Sequence, residues 1–547
     1  MKDEKIEIRN NIFKSLFTQN DFYKHTINTQ LTLRKQKIQE NLMSKRLILS
    51  EKEINENSLA VDINKLKAPE DLKKNYEIIL KTTYEIKQYL PQLFGLNLND
   101  KKVALFLLRN FIILQIKELP FEKRKLSNND KELFKGLCNL LFDKDSQVKY
   151  EVSWCLINLP LFPKVIENKL YSEDNLNLIS NFILNCEEQF FCIVIYILRN
   201  YSNNDSNKIF FIHNGALKKA IDIISNDMNN EFLIKHSIKF FRNIIKILKR
   251  HPNEIDSLIS LIPLLQKIMN NFIKHPLKNE SDYISLLESL EELSKCCYKN
   301  TYNLIMNDNF SKTIIDFFKQ LNNNEIKLKT FYIILNMLSQ DESNTELLLD
   351  EGLCQLIKQL LYEFKFNNME FLANIILAIS NIASGTISQI ELLNTEEIFE
   401  DIIEIGKYYI ENYNPNNHYF KIIIRECIYS LCNAINGGTD GVKQNIIIYE
   451  NSFIINILFF GLKEFDFKKE DQNFLRSIIL TIKICVIQSE EIMLDEYNLI
   501  KQNIIKNQGE DLLNKILNEE LITDFDKINI DIILDSIKEN DTYTFFE

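Results

Sequence analysis

Glycine and proline are both scarce in this chain: its 547 residues include only 11 Gly and 9 Pro. Sheet proteins need frequent turn residues, so the shortage argues against a many-stranded architecture and for long helices with short polar connections. No stretch reaches the roughly 18 uninterrupted apolar residues of a membrane helix. The N-terminus, MKDEKIEIR, lacks the apolar core of a signal peptide. Ten cysteines form no C-x-x-C pair, and Cys155, Cys192, Cys427 and Cys485 sit within apolar helical runs. They read as small buried thiols of a reducing compartment, not as disulfides or metal ligands. His25, His213, His236, His251, His275 and His418 show no H-x-x-x-H or H-E-x-x-H spacing, so no metal site is expected. There is no Walker loop and no dinucleotide glycine fingerprint. Glu291 and Glu292 are adjacent and diverge on a helix, which is a solvated face and not a catalytic pair. The chain is therefore expected to be soluble and intracellular, and neither an enzyme nor a cofactor protein.

Charge is unevenly distributed. The net charge is −11, yet residues 1–50 hold ten Lys/Arg against five Asp/Glu, leaving −16 for the remainder. A basic arm on an acidic body either folds back or binds an acidic partner; a plain solvated tail has the same composition. The acidic body argues against nucleic acid as a partner. Residues 51–70, polar and containing Pro69, read as a linker, and residues 541–547 as a C-terminal tail.

The body is periodic. SWCLINL (153–159), IYILRNY (195–201), IKFFRNI (238–244), FYIILNM (331–337), LAISNIA (377–383) and IYSLCNA (428–434) are apolar helical runs with Asn near the end. Those residues, Asn158, Asn200, Asn243, Asn336, Asn381 and Asn433, stand 42, 43, 93, 45 and 52 residues apart. LLESLEELSK (286–295) fills the double gap, with Glu292 in the Asn position. A period in the forties without strand signals marks armadillo or HEAT units, which bury their apolar faces only against neighbours. The expected fold is all-α, a right-handed superhelical solenoid of about ten armadillo repeats over residues 71–540. The last repeat is expected at about 510–540, with acidic residues among its apolar positions as in a solvent-facing cap.

An Asn repeated once per unit forms a ladder whose amides can clamp the N–H and C=O of an extended peptide. Four residues earlier, one helical turn away on the same face, stand Trp154, Tyr196, Lys239, Glu288, Tyr332, Leu377 and Tyr429. Aromatic residues there make walls for lysine stems, with cation–π attraction added. Taken singly, Tyr196, Tyr332 and Tyr429 are equally well core residues, and Asn158, Asn200 and Asn433 equally well caps of the turn that follows. Lys239 inside the ladder should repel a cargo lysine.

This pairing resembles the importin-α family, adaptors that recognise nuclear localisation signals with a Trp-x-x-x-Asn array. Trp154/Asn158 matches completely; Tyr196/Asn200, Tyr332/Asn336 and Tyr429/Asn433 keep an aromatic and the Asn; Lys239/Asn243 and Leu377/Asn381 keep the Asn alone. ISNIASGTISQI (379–390) and NAINGGTDGVKQNI (433–446) are similar to the family's Gly-Thr loops, and Glu426 falls where its minor site has an acid. Where the major site has an aspartate stand Asn204 and Asp205. The arm is similar to the family's importin-β-binding segment in LTLRKQKIQENLMSKR (31–46), through Leu33, Arg34, Lys35, Lys37, Lys45 and Arg46, with Phe13-Lys14 upstream. The resemblance implies basic cargo peptides in the groove, importin-β on the arm of residues 1–50, and a nuclear export receptor on the C-terminal repeats. The alternative is an armadillo scaffold that binds other proteins without recognising basic signals.

Overall fold

The computed structural model describes residue 95 and residues 97–118, 130–162, 172–258, 260–275, 280–294, 308–339, 342–465, 472–492, 494–518 and 522–538. The basic arm, the linker and the C-terminal tail lie outside them. The described residues form two compact bodies, one ending at Ser294 and the other beginning at Asp308. All regular structure among the described residues is helical.

The N-terminal body contains α1 (Leu98–Glu118), α2 (Asp130–Leu140), α3 (Ser146–Asn158), α4 (Glu173–Asn185), α5 (Phe191–Tyr201), α6 (Asp205–His213), α7 (Ala216–Asn226), α8 (Glu231–Ile245), α9 (Ile255–Leu258), α10 (Leu261–Lys274) and α11 (Glu280–Ser294). Its third helices, α1, α3, α5, α8 and α11, pack each against the next. The C-terminal body continues with α12 (Asp308–Lys319), α13 (Asn324–Leu338), α14 (Glu342–Asp350), α15 (Leu353–Phe364), α16 (Met369–Ala383), α17 (Ile387–Thr395), α18 (Ile398–Glu411), α19 (His418–Gly437), α20 (Asp440–Ile448), α21 (Ile454–Glu464), α22 (Gln472–Ile492), α23 (Leu494–Lys506), α24 (Gly509–Leu517) and α25 (Asp524–Lys538). Here α13, α16, α19, α22 and α25 are the third helices, again packed in succession. The last repeat begins at α23, earlier than the apolar pattern indicates.

The chain folds this way because its third helices are apolar on nearly all sides. In α16 the residues Leu372, Ile375, Ile376, Ile379 and Ile382 are fully buried, which a lone surface helix could not achieve. Each such side chain contributes about 1.5–3 kcal/mol when removed from water. Phe371 of α16 stacks on Phe364 of α15, with centroids 4.4 Å apart, and meets Phe331 of α13 edge-on at 5.6 Å. Neighbouring repeats thereby share one core. The abundant asparagine starts these helices: Asn230, Asn323, Asn368 and Asn417 each accept a backbone N–H at the N-cap of α8, α13, α16 and α19. Asp145 does the same for α3.

First and second helices meet at a left-handed residue, which reverses the chain within one or two positions. Gly215 (φ 89°) and Gly352 (φ 87°) take this conformation without a Cβ penalty. Glu397 (φ 56°), Ser452 (φ 59°) and Gln508 (φ 53°) hold the equivalent turns against it. A left-handed non-glycine residue costs about 1–2 kcal/mol, and glycine returns part of that through unfolded-chain entropy. Gln508→Gly should therefore stabilise the chain by about 0.5–1 kcal/mol, whereas Gly352→Ala should cost about 1 kcal/mol. Urea unfolding of both variants checks the opposite signs.

Candidate functional site: the polar ladder of the third helices

The ladder asparagines fall at the ends of the third helices, and most of their amides are used within the fold. Asn158 Nδ2 donates to Trp154 O in its own helix at 3.0 Å. Asn200 Nδ2 donates across to Ile157 O (2.8 Å), Asn243 to Arg199 O (3.2 Å), and Asn433 to Ser380 O (3.1 Å). In each crossing the acceptor is the residue just before the preceding ladder asparagine. Carbonyls in a last helical turn are short of intrahelical donors, so each asparagine adds one to the helix before it and ties two repeats together; Arg199 O also accepts from Ser202 Oγ and Ser380 O from Ser384 N. Asn381 differs: its Nδ2 is buried and has no hydrogen-bond partner. Asn336 contributes its backbone carbonyl to Ser339 Oγ at 2.8 Å.

The aromatic positions are largely enclosed. Trp154 is 1% exposed, packed edge-on against Tyr150. Tyr196 is 3% exposed and neighbours His236 and Phe232, with Arg199 over its ring at 5.1 Å. Tyr429 is also buried, 4.8 Å from Phe474, and Arg425 covers both rings. Tyr332 is partly exposed and donates its hydroxyl to Glu370 Oε1 at 3.2 Å. Arg199 and Arg425 thus already hold the cation–π positions at Tyr196 and Tyr429.

Charges at the ladder are mostly compensated. Lys239 Nζ sits 3.1 Å from Asp282 Oδ1, so the positive charge expected to repel a cargo lysine is offset. Asp205 pairs with Lys208 and Arg250, which together hold its carboxyl below the usual range, the Lys208 hydrogen bond contributing most. Asn204 is the N-cap of α6, accepting from Ser206 N at 2.9 Å. Thr386, in the Gly-Thr loop, forms a capping box with Gln389 at the start of α17. Phe13, Lys14, Leu33, Arg34, Lys35, Lys37, Lys45 and Arg46 lie outside the described residues.

A second register, seven residues before the ladder asparagine, emerges only from the structure. Glu151 occupies it in α3, His236 in α8 and Glu426 in α19. Glu151 is wholly buried, with Arg109 Nε of α1 at 3.0 Å. Arg109 precedes Asn110, whose amide donates to Phe106 O as Asn158 does to Trp154 O. Arg109-Asn110 belongs to LLRN (107–110), which repeats in ILRN (197–200) and FFRN (240–243); this recurrence was the signal for the register. Glu426 has no such cation: Ser380-Asn381 stands where Arg109-Asn110 would, and Glu426 Oε2 is buried without a partner. Burial pushes the Glu426 carboxyl up to about 7, with Arg425 opposing weakly.

Against known proteins the likeness lies in the fold. No family model and no curated protein matches the chain. An engineered protein of known structure aligns with a TM-score of 0.57 at 14% identity, over 83% of this chain and 98% of its own. A structure from work on a phosphorylation switch controlling the interaction between cadherin and β-catenin aligns at 0.52 and 11% identity, over 86% and 97%. A designed armadillo repeat protein in complex with the peptide (KR)4 aligns at 0.37 and 16% identity, over 50% and 99%. The fold is an all-α solenoid of armadillo repeats. Among the described residues no group of three or more His, Cys, Asp or Glu is placed to hold a metal, and no helix is long and apolar enough to cross a membrane. Six of the eight described cysteines are buried.

The raised Glu426 pKa has a consequence for stability. An unfolded glutamate ionises near 4.3, so the folded state holds a proton between that pH and about 7. The stability Glu426 lends in its neutral form is complete below pH 4.3, drains as pH rises, and is gone above 7. That difference amounts to about 4 kcal/mol. Glu426→Gln keeps a neutral group, so its stability relative to wild type should rise between pH 4.5 and 7 and level off above. Thermal unfolding across pH 4–8 measures it.

Proposed function

We propose that the chain is a polypeptide-binding armadillo adaptor that grips an extended basic segment along α13, α16 and α19, the work of a nuclear import adaptor. Glu426 is the observation that carries this reading. It is a buried carboxyl with no ion-pair partner among the described residues, in the register where Arg109 supplies one to Glu151. Burying an unpaired ionised carboxylate is costly, so an incoming Lys or Arg gains by completing the pair. Asn381 Nδ2 supports it, as an unused donor one ladder position away that suits a ligand carbonyl. Glu370, exposed beside Tyr332, adds negative charge on the same helices. The cation goes to Glu426 and not to the rings, because Arg425 covers Tyr429. Under this reading the arm of residues 1–50 recruits importin-β and the C-terminal repeats a nuclear export receptor, with exchange between cytoplasm and nucleus.

The burial of Trp154 and the engagement of Asn158 and Asn200 favour the second reading, a scaffold without basic-signal recognition, for the N-terminal body. Binding of labelled (KR)4 to the full chain, with and without residues 1–50, decides between them. Because binding requires ionised Glu426, affinity should strengthen about tenfold from pH 6 to pH 8, and Glu426→Gln should bind weakly with no pH dependence. Absence of binding in both forms at pH 8 would leave the scaffold.

A further inference from the structure

We propose that Arg199 and His236, on α5 and α8 of the N-terminal body, form an anion site that takes a carboxylate side chain from an acidic polypeptide segment. The evidence is a comparison between two copies of one device, with a related arginine beside them. Arg109, Arg199 and Arg242 each precede a ladder asparagine, and each reaches the next third helix. Arg109 meets Glu151 at 3.0 Å in the same register as His236, and Arg242 pairs with Glu288 three residues beyond that register, so both cations face a carboxylate. Arg199 meets only a ring nitrogen, its Nη1 lying 2.7 Å from His236 Nδ1. The remaining contact of the guanidinium is the face of Tyr196. Among the described residues no acidic residue pairs with Arg199, and the carboxylate that faces Arg109 and Arg242 is missing.

The histidine sets the direction of the arginine. Arginine carries only donors, so Nδ1 must accept and the imidazole proton sits on Nε2. His236 is 6% exposed. Burial, with Arg199, Lys239 and Lys235 nearby, holds the imidazole well below its ordinary pKa, so it stays neutral and keeps this tautomer. Tyr196 and Phe232 lie 4.7 and 4.3 Å from the ring and fix its orientation. Lys239 is offset by Asp282, whereas Lys235, with no ion-pair partner among the described residues, adds to the positive field. The N–H groups of the Arg199 guanidinium that do not face His236 suit a carboxylate oxygen pair. The position on a ladder of successive third helices suits an extended chain more than a small anion. This site stands independently of the reading of Glu426.

The test is fluorescence anisotropy of labelled octaglutamate with the full chain at low salt, together with thermal unfolding of each variant. Wild type should bind, and Arg199→Gln should weaken binding at least tenfold. His236→Glu copies Glu151 and should weaken it as much while keeping the thermal midpoint at or above that of wild type. Glu426→Gln should bind octaglutamate as wild type does, which separates this site from the basic-segment reading. Undiminished binding by Arg199→Gln overturns the proposal, as does binding of inorganic phosphate without octaglutamate, or no binding by wild type.

Discussion

The hydrogen bond from a ladder asparagine to the last-turn carbonyl of the preceding repeat is the contact on which this fold's regularity rests. A helix end leaves carbonyls without donors, and a stack of helix ends buried between repeats would leave many. Asn200 donates to Ile157 O, and Asn243 and Asn433 add a donor to Arg199 O and Ser380 O, at 2.8 to 3.2 Å. Every such bond sets the register of two third helices, so side chains one or two turns earlier meet in the same way from repeat to repeat. Apolar burial supplies the larger share of the energy, but it is not directional. The amide bonds decide which residue faces which.

That fixed register is why the charged positions can be compared at all. Seven residues before the ladder asparagine, Glu151 finds Arg109, His236 finds Arg199, and Glu426 finds no cation. One geometry therefore yields a closed ion pair, an excess cation and an unpaired acid. A closed pair has little left for a partner, whereas an incomplete one gains when a ligand supplies the opposite charge. The two bodies consequently present ladder positions of opposite appetite.

The fold was largely readable in the sequence, because a recurring Asn in apolar runs is a strong periodic signal and scarce glycine excludes sheets. The start of the last repeat was less so: KQNIIKNQGE has few apolar residues, yet α23 already covers Leu494–Lys506. The turns at Glu397 and Gln508 were hidden because neither carries the glycine that betrays Gly215 and Gly352. For the site, the asparagines were visible but their acceptors were not. Those acceptors are backbone carbonyls about 43 or 53 residues away, and a carbonyl leaves no mark on sequence. Whether an aromatic faces core or groove was equally hidden, since both positions recur with one period; Trp154 turned out enclosed. Arg109 and Arg199 looked like ordinary charged residues near helix ends until the structure set them opposite Glu151 and His236.

The claim that charge compensation in one register selects the partner is tested most directly by hydrogen–deuterium exchange of the full chain with (KR)4. Added protection should appear in residues 369–437, around Asn381 and Glu426, and leave residues 191–245 unchanged. Protection centred on residues 191–245, around Arg199 and His236, would contradict it.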